Sequence, residues 1–487
     1  MQIFSNAFLW IEGKWTHFPQ SILVDSGRIS EIFEPRQALP ANTSIHDLKG
    51  HYLYPGFTDT HTHSFEGGLY SLGADLSACG DIAEVLAKLD AAYQKADKED
   101  IIFAWQLDEN QLTEQRFPTL EELDAVIPNR ALILRRIDGH SCVLNSFARA
   151  LIPELETQNH ILRGKENDKA VHFFHQRLNP ETILQAYQAA AQHAMQGGFT
   201  GLHTMIGDAD YSITHYQLLR DNLDKFPITF TLYPQSFNLR AALDAGATRI
   251  GGCILADGSI GSGTAALSKP YLDGVNRGVL YQSDAFWHTF IAETTQHDLQ
   301  VAVHAIGDRA IRQINSVYLS LPETAALRHQ LIHCEITDDQ LIAEIARSGA
   351  ATVMQPNFDL LWGGRDGFYA RKLGIERSLI MNRFKALTRS GIKVCGGSDW
   401  YITALDAALS IRAAMNHHNP LESLSHPEAI DIYTRNAAWL SHEEETRGKL
   451  AKGYTADFTI YDQPLDCPTA EPELTCVVCK GEICHGE

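Results

Sequence analysis

Short apolar runs of strand character recur through the middle of the chain, and stretches of helical period separate them. Phe199-Thr200-Gly201-Leu202-His203 follows a helix-like segment from Glu181 to Gln196. Ile228 to Tyr233 and Cys253-Ile254-Leu255-Ala256 come next. Then come Gln300 to His304, Gln330 to His333, Ala350 to Met354 and Ile392 to Gly396. Alternation of this kind predicts parallel strands joined by crossover helices. With the run from Leu53 to His63 in front, the series reaches eight, the number a (β/α)₈ TIM barrel requires.

Shorter strands with tight turns occupy both ends. Ile22-Leu23-Val24 and Ile29 to Phe33 flank Asp25-Ser26-Gly27, a hairpin signal. Ala456 to Tyr461 and Thr475 to Cys479 have the same character, with Lys480-Gly481 as a turn. Neither end has enough strands to close a core alone. Residues 1–52 and 448–487 are therefore expected to meet in one small β-sandwich beside the barrel of 53–447. Residues 64–180 exceed any strand-to-helix loop and read as an inserted α/β lid subdomain.

The polar residues that end the apolar runs carry the chemistry. His61 and His63 share one face of a strand, roughly 6–7 Å apart, so both can reach one ion. Two buried imidazoles without partners would cost several kcal/mol. The fifth strand ends at His304, the sixth at His333, and the eighth leads into Gly397-Ser398-Asp399. Each has a bland reading alone: a core histidine, or Asp399 as the cap of a helix running from Ala404 to Met415. At the carboxyl ends of barrel strands they would converge on one mouth. Imidazole and carboxylate ligands suit Zn²⁺ first, with Mn²⁺, Co²⁺ or Fe²⁺ also compatible. Such an ion lowers the pKa of bound water to about 7, and a carboxylate beside it can carry the proton.

Composition narrows the classes. A formal net charge of −20 argues against nucleic acid and anionic membrane partners. The opening Met1-Gln2-Ile3-Phe4-Ser5 lacks the layout of a secretion signal, and no apolar run approaches ~18 residues. The 9 cysteines are scattered without framework spacing, which fits a reducing compartment, so a cytoplasmic location is expected. Cys476, Cys479, Cys484 and His485 look like half a zinc knuckle, but no second paired-cysteine motif exists and the segment matches a terminal strand pair. His203 reads equally as a core histidine or a support for the site.

Several motifs together resemble the amidohydrolase superfamily, and most of all the amidohydrolase-3 branch that includes N-substituted formamide deformylases. They are Pro55 to His63, Trp105 to Asn110, Arg136-Ile137-Asp138-Gly139-His140, Asp257 to Ser262, His304 to Asp308, Gly397-Ser398-Asp399 and Lys452 to Phe458. The resemblance implies that His61 and His63 bind an inner metal and that Asp399 is both ligand and general base. His304 and His333 would bind a second metal. With one metal, His304 would join the inner ion and His333 would polarise the substrate. The insertion would supply a lid, with Trp105 and His140 near the substrate, and Asp257 would open a loop over the mouth and contact it. Many relatives carry a bridging lysine on the fourth strand. That position falls here on Cys253, and no lysine lies between Lys225 and Lys269. A thiolate is itself a good Zn²⁺ ligand, whereas an inert buried cysteine is the plain alternative.

The function implied is metal-dependent hydrolysis of a C–N, amide-type bond in a small molecule, with one or two ions per chain. Two alternatives stand beside it: a deaminase of an aminated heterocycle, and a catalytically silent metal-bound scaffold. A homodimer is compatible with all three, and the substrate is not legible.

Overall fold

A computed structural model describes every residue except 35, 36, 38, 39, 41, 42, 97–100, 138, 140, 154, 156, 157, 208–211 and 487. Its contacts divide the chain into two units, Met1–His63 with Ala191–Glu487, and Ser64–Ala190.

In the first unit the parallel strands are β1 (Phe57–Thr62), β2 (Phe199–Ile206), β3 (Thr229–Pro234) and β4 (Arg249–Leu255). They continue with β5 (Gln300–Ala305), β6 (Gln330–His333), β7 (Ala351–Met354) and β8 (Val394–Gly396). Every residue of β2, β5, β6 and β7 is buried. That explains why they read as continuous apolar runs: a parallel sheet is covered on both faces. The crossover helices bury one stripe each. Asp308–Ser320 turns Ile311, Ile314 and Tyr318 inward. Asp339–Ser348 starts at Asp338, whose carboxylate accepts from Leu341 N–H at 2.7 Å, and stops at Gly349 with φ +73°. A cap of this kind is worth ~1 kcal/mol, and glycine takes the left-handed stop without strain.

The expected single closed ladder is not what forms. The strands make an open three-stranded sheet, β3-β2-β1, and a five-stranded sheet, β4-β5-β6-β7-β8. β8 has only three residues, too short to pair along β1. The seam between them is bridged instead by Asp399 N–H to the His61 carbonyl at 2.9 Å and His63 N–H to the Trp400 carbonyl at 2.6 Å. The architecture is α/β and barrel-like.

The apolar run at Leu53 also breaks where a single strand was expected. Tyr52–Pro55 belongs to another sheet, pairing with Gln2–Ile11 and with Phe458–Tyr461. Gly56 marks the break. A Cβ there would lie 2.3 Å from Thr200 Oγ1 and 2.7 Å from Asp457 Cβ, so only glycine fits. Both ends of the chain thus enter one nine-stranded sheet. Its core joins Phe4, Leu9, Ile22 and Leu53 to Phe458, Ile460 and Val478. Seven of its strands follow one path and two more pair off it. The hairpin at Ser26-Gly27 is present, with φ +51° and +75°, the conformation its tight turn requires.

The second unit has its own five-stranded sheet, built on Ile102–Leu107 and Leu132–Arg136. Helix Ile82–Lys95 packs Val85 and Leu89 onto a core containing Leu107, Leu123 and Leu134. No helix among the described residues is long and apolar enough to cross a membrane.

Candidate metal centre

β1 delivers the first ligands. Asp59 is fully buried, and its Oδ1 accepts from His61 N–H at 3.0 Å and from Ser398 N–H at 3.1 Å. Its Oδ2 accepts from the same Ser398 N–H at 2.9 Å. One carboxylate thereby pins the loop after β8 against the strand that carries the histidines. Gly397 permits the approach, since a Cβ there would sit 2.8 Å from His61 Cβ. Burial pushes the Asp59 carboxyl up to about 7, against the pull of these N–H donors.

The loop places Asp399 Oδ1 3.3 Å from His61 Nε2 and 3.3 Å from His63 Nε2. Asp399 holds a left-handed φ of +57°. It is not a helix cap: Asp406 caps Ala407–Met415, accepting from Leu409 N–H at 3.0 Å. Burial alone would raise the Asp399 carboxyl, but the two imidazoles win and hold it well below the usual carboxylate range. Both imidazoles are raised in turn.

β4 brings Cys253 to the same place through a bulge. Gly251 and Gly252 both have φ +93°, and the register against β5 shifts between Gly251 and Ile254. A Cβ at Gly252 would meet Met205 Sδ at 1.9 Å, and one at Gly251 the Ala302 carbonyl oxygen at 2.2 Å. The glycines are what allow the strand to turn the thiol inward. Burial would raise that thiol, but His304, His333, His61 and His63 surround it and hold it well below its ordinary value. Cys253 Sγ lies 3.9 Å from His304 Nδ1.

β5 and β6 supply the remaining imidazoles, with ring centroids 4.5 Å apart. His304 Nε2 faces the Gly258 carbonyl at 3.4 Å, which leaves Nδ1 toward Cys253. His333 Nδ1 is 2.8 Å from Gln355 Oε1, which leaves Nε2 for the centre. Fixing one ring nitrogen this way selects the tautomer of the other. Burial, then the neighbouring His304, lowers His333, while contact with Cys253 overrides burial and takes His304 up to about 9.

His61, His63 and Asp399 offer ligand atoms within 4.8 Å of one another, and so do His61, Cys253 and His333. Both ring nitrogens of His61 and Asp399 Oδ1 are buried without a hydrogen-bond partner. Buried polar atoms left this way need a ligand, and a cation between them is the species this donor set accepts.

The other expected residues fall differently. Asp257 is fully buried, with Oδ1 taking Ile306 N–H at 2.9 Å and Oδ2 taking Ala266 N–H at 2.7 Å and Gly307 N–H at 2.8 Å. Its carboxylate ties the glycine-rich loop to the end of β5 and is not open to a substrate. Trp105 lies in the second unit. His140 and Asp138 lie outside the described residues. His203 is a satisfied core residue, with Nε2 2.8 Å from Ser441 Oγ and its ring stacked on Tyr233. Asp59 and Gln355 are the residues that strand-end reasoning passed over. Asp59 lies two positions before His61, and Gln355 directly follows β7, so both obey the rule that found the histidines.

The model of the amidohydrolase family matches residues 44–485. The chain belongs to the amidohydrolase family. It is 29% identical over 489 residues to the putative amidohydrolase YtcJ of Bacillus subtilis (strain 168), covering 91% of this chain and 90% of that one. It is 23% identical over 518 residues to the N-substituted formamide deformylase of Arthrobacter pascens, covering 93% and 92%. Among solved structures, an uncharacterized metal-dependent hydrolase from Pyrococcus furiosus matches with a TM-score of 0.80 and 24% identity, over 96% of this chain and 100% of that chain. Membership of that family makes the chain a hydrolase, and the described residues include groups able to hold a metal ion.

Proposed function

We propose that this amidohydrolase hydrolyses an amide-type C–N bond of a small molecule. The observation that carries the reading is the grouping of His61, His63 and Asp399, and of His61, Cys253 and His333, around buried His61 and Asp399 atoms that lack a hydrogen-bond partner. His61, His63 and Asp399 would hold one divalent cation, zinc in this reading, with Cys253, His304 and His333 forming a second position or completing the first. When bound, such an ion lowers the pKa of water from 15.7 to about 7 and polarises a carbonyl oxygen.

The chain's own residues do the rest. Asp399 accepts a proton from water and returns it to the departing nitrogen, and its fixed left-handed backbone keeps the carboxylate at that point. His333 is oriented by Gln355, whose Oε1 accepts the Nδ1 proton and leaves the Nε2 lone pair facing the centre, where it would help hold the cation. Asp59 holds the Asp399 loop in register with His61. The similarity to a formamide deformylase supports N-formyl and N-acyl amines as the first substrates to try. All nine cysteines are unpaired, which supports a reducing compartment such as the cytoplasm.

The test is bound metal per chain by elemental analysis, followed by a panel of N-formyl, N-acyl and cyclic amides, Xaa-Pro dipeptides and aminated heterocycles. Release of a carboxylate with an amine supports the reading. Ammonia without a carboxylate product would make it a deaminase. A metal-free chain, or one inert across the panel while loaded, would overturn it.

A further inference from the structure

The inserted unit holds a cavity of about 490 Å³ whose described lining lies entirely within Ser64–Ala190. That is room for a small organic molecule. One wall is the helix Ile82–Lys95. Lys88, Ala91, Ala92, Lys95 and the capping Ala96 recur at the spacing of a single helical face, and each borders the cavity. Alanine side chains end at Cβ, so this face leaves a trough where longer residues would have filled the space. The floor is apolar, from Leu69, Ile102 and Phe103. On the other side the chain turns through Arg177 and Leu178 into the helix Pro180–Gln196. Asn179 Oδ1 accepts Thr182 N–H at 2.8 Å there, so the positive end of a 17-residue helix opens on the same hollow.

Every charged side chain among the described residues of that lining is basic: Lys88, Lys95 and Arg177. The sign runs against a chain that carries 60 acidic and 40 basic residues. Among the described residues none of the three meets a carboxylate. Lys88 Nζ donates to the Asp75 carbonyl oxygen at 2.6 Å, a neutral acceptor that leaves the charge uncompensated. Arg177 is fixed in place. Its Nη1 donates to the Phe173 carbonyl oxygen at 2.8 Å, and the guanidinium carbon lies 3.3 Å from the centre of the Phe173 ring. Nε and Nη2 remain, the donors along one edge of the fork that grips a carboxylate by two parallel bonds. An apolar floor under a cationic rim is complementary to a molecule with an apolar tail and a carboxylate head.

We propose that the cavity binds an amphipathic carboxylate, a fatty-acid-like anion whose head lies among Lys88, Lys95 and Arg177 and whose tail follows the alanine face. The two parts contribute differently. Each methylene covered by the trough multiplies affinity, up to about 4-fold when it leaves water completely. The head supplies selectivity. Its partners stand at an open rim, so their pull weakens as salt rises. An alcohol with the same tail gains nothing from the cations, and a quaternary ammonium is repelled by them.

The test is isothermal titration calorimetry of the full-length protein with hexanoate, octanoate and decanoate, before and after metal is removed by dialysis against a chelator. One decanoate per chain is expected in both states. Affinity should rise roughly 2–4-fold per methylene along the series, and decanol should bind at least about 10-fold more weakly. Lys95→Gln with Arg177→Gln removes two exposed charges and should weaken decanoate about 10-fold, with an unchanged circular dichroism spectrum. Ala92→Phe fills the trough and keeps every charge, so the gain with tail length should disappear. The charge variant decides the matter even if Ala92→Phe folds poorly. Undiminished binding by the charge variant, or equal binding of decanol and decanoate, would overturn the proposal. So would binding lost with the metal, which places the carboxylate at the metal centre. Self-association abolished by Ala92→Phe in sedimentation would do the same, by making the trough an interface between copies of the chain.

Discussion

Replacing Gly397 by alanine tests how the two halves of the metal centre are brought together. The new Cβ would lie 2.8 Å from His61 Cβ and 2.9 Å from His61 N. Carbon atoms rest at about 3.5–4.0 Å, so the loop after β8 must retreat from β1 by roughly 0.7 Å or more. His61 cannot yield, because its N–H is held by Asp59 and its carbonyl by Asp399 N–H. Asp399 Oδ1, now 3.3 Å from both imidazoles, moves beyond the ~0.5 Å tolerance of a preorganised site. Overpacking of this kind costs ~1–3 kcal/mol of stability. On the proposed metal-centre reading, affinity for added zinc, read by competition with a chromogenic chelator, is expected to fall about 10–100-fold, the usual effect of disturbing the groups that orient metal ligands. Gly391→Ala is the control. Its φ is +80°, but nothing lies within 4 Å of the added carbon. It should lose ~1–2 kcal/mol for the left-handed backbone and keep its metal affinity. If Gly397→Ala binds zinc like the wild type, or both variants weaken alike, the close approach of the loop to His61 is not what sets the ligand distances.

Asp399→Asn should leave the circular dichroism spectrum unchanged and cut turnover by at least ~10²-fold, the reach of general acid–base catalysis; near-normal turnover would end that role. Cys253→Ala should lower metal stoichiometry or affinity and abolish the sulfur-to-cobalt charge-transfer absorption of cobalt-loaded protein. Retention of both would mark Cys253 as an inert core thiol. Burial depresses His329 to about 3, and it is neutral in the fold with Nδ1 accepting Val301 N–H at 3.1 Å. The unfolded chain binds that proton below ~6.5, so stability is full above this pH and is lost as pH falls. The share is about 2 kcal/mol between roughly pH 7.5 and pH 5. His329→Gln should therefore flatten the acid side of the unfolding midpoint against pH, and an unchanged slope would refute the assignment.

Much of this was legible because buried parallel strands leave few ways to read a run such as Val301-Ala302-Val303-His304. A histidine at its end has to be explained, and four such ends explain one another. What the pattern conceals is set by backbone geometry. Gly56 looks like any glycine in a strand until Thr200 and Asp457 are seen to fill its Cβ position. The inward turn of Cys253 depends on two glycines at φ +93°, and a bulge has no hydrophobic period. Asp399 reads as a cap only for a helix expected from Ala404; the helix begins at Ala407, and Asp406 takes the Leu409 N–H instead. Seam bonds such as His63 N–H to Trp400 come from main-chain atoms, which residue identity does not encode.

Gly56 has a bearing on how the chain can be handled. Tyr54 and Leu53 are clamped by Thr459 and Ile460, and His61 follows only a few residues further along the same polypeptide. A tag, cleavage or deletion that loosens residues 456–486 would therefore slacken the very segment from which two imidazoles hang. Trimming the carboxyl end, harmless in many enzymes, should here be felt as weakened metal binding.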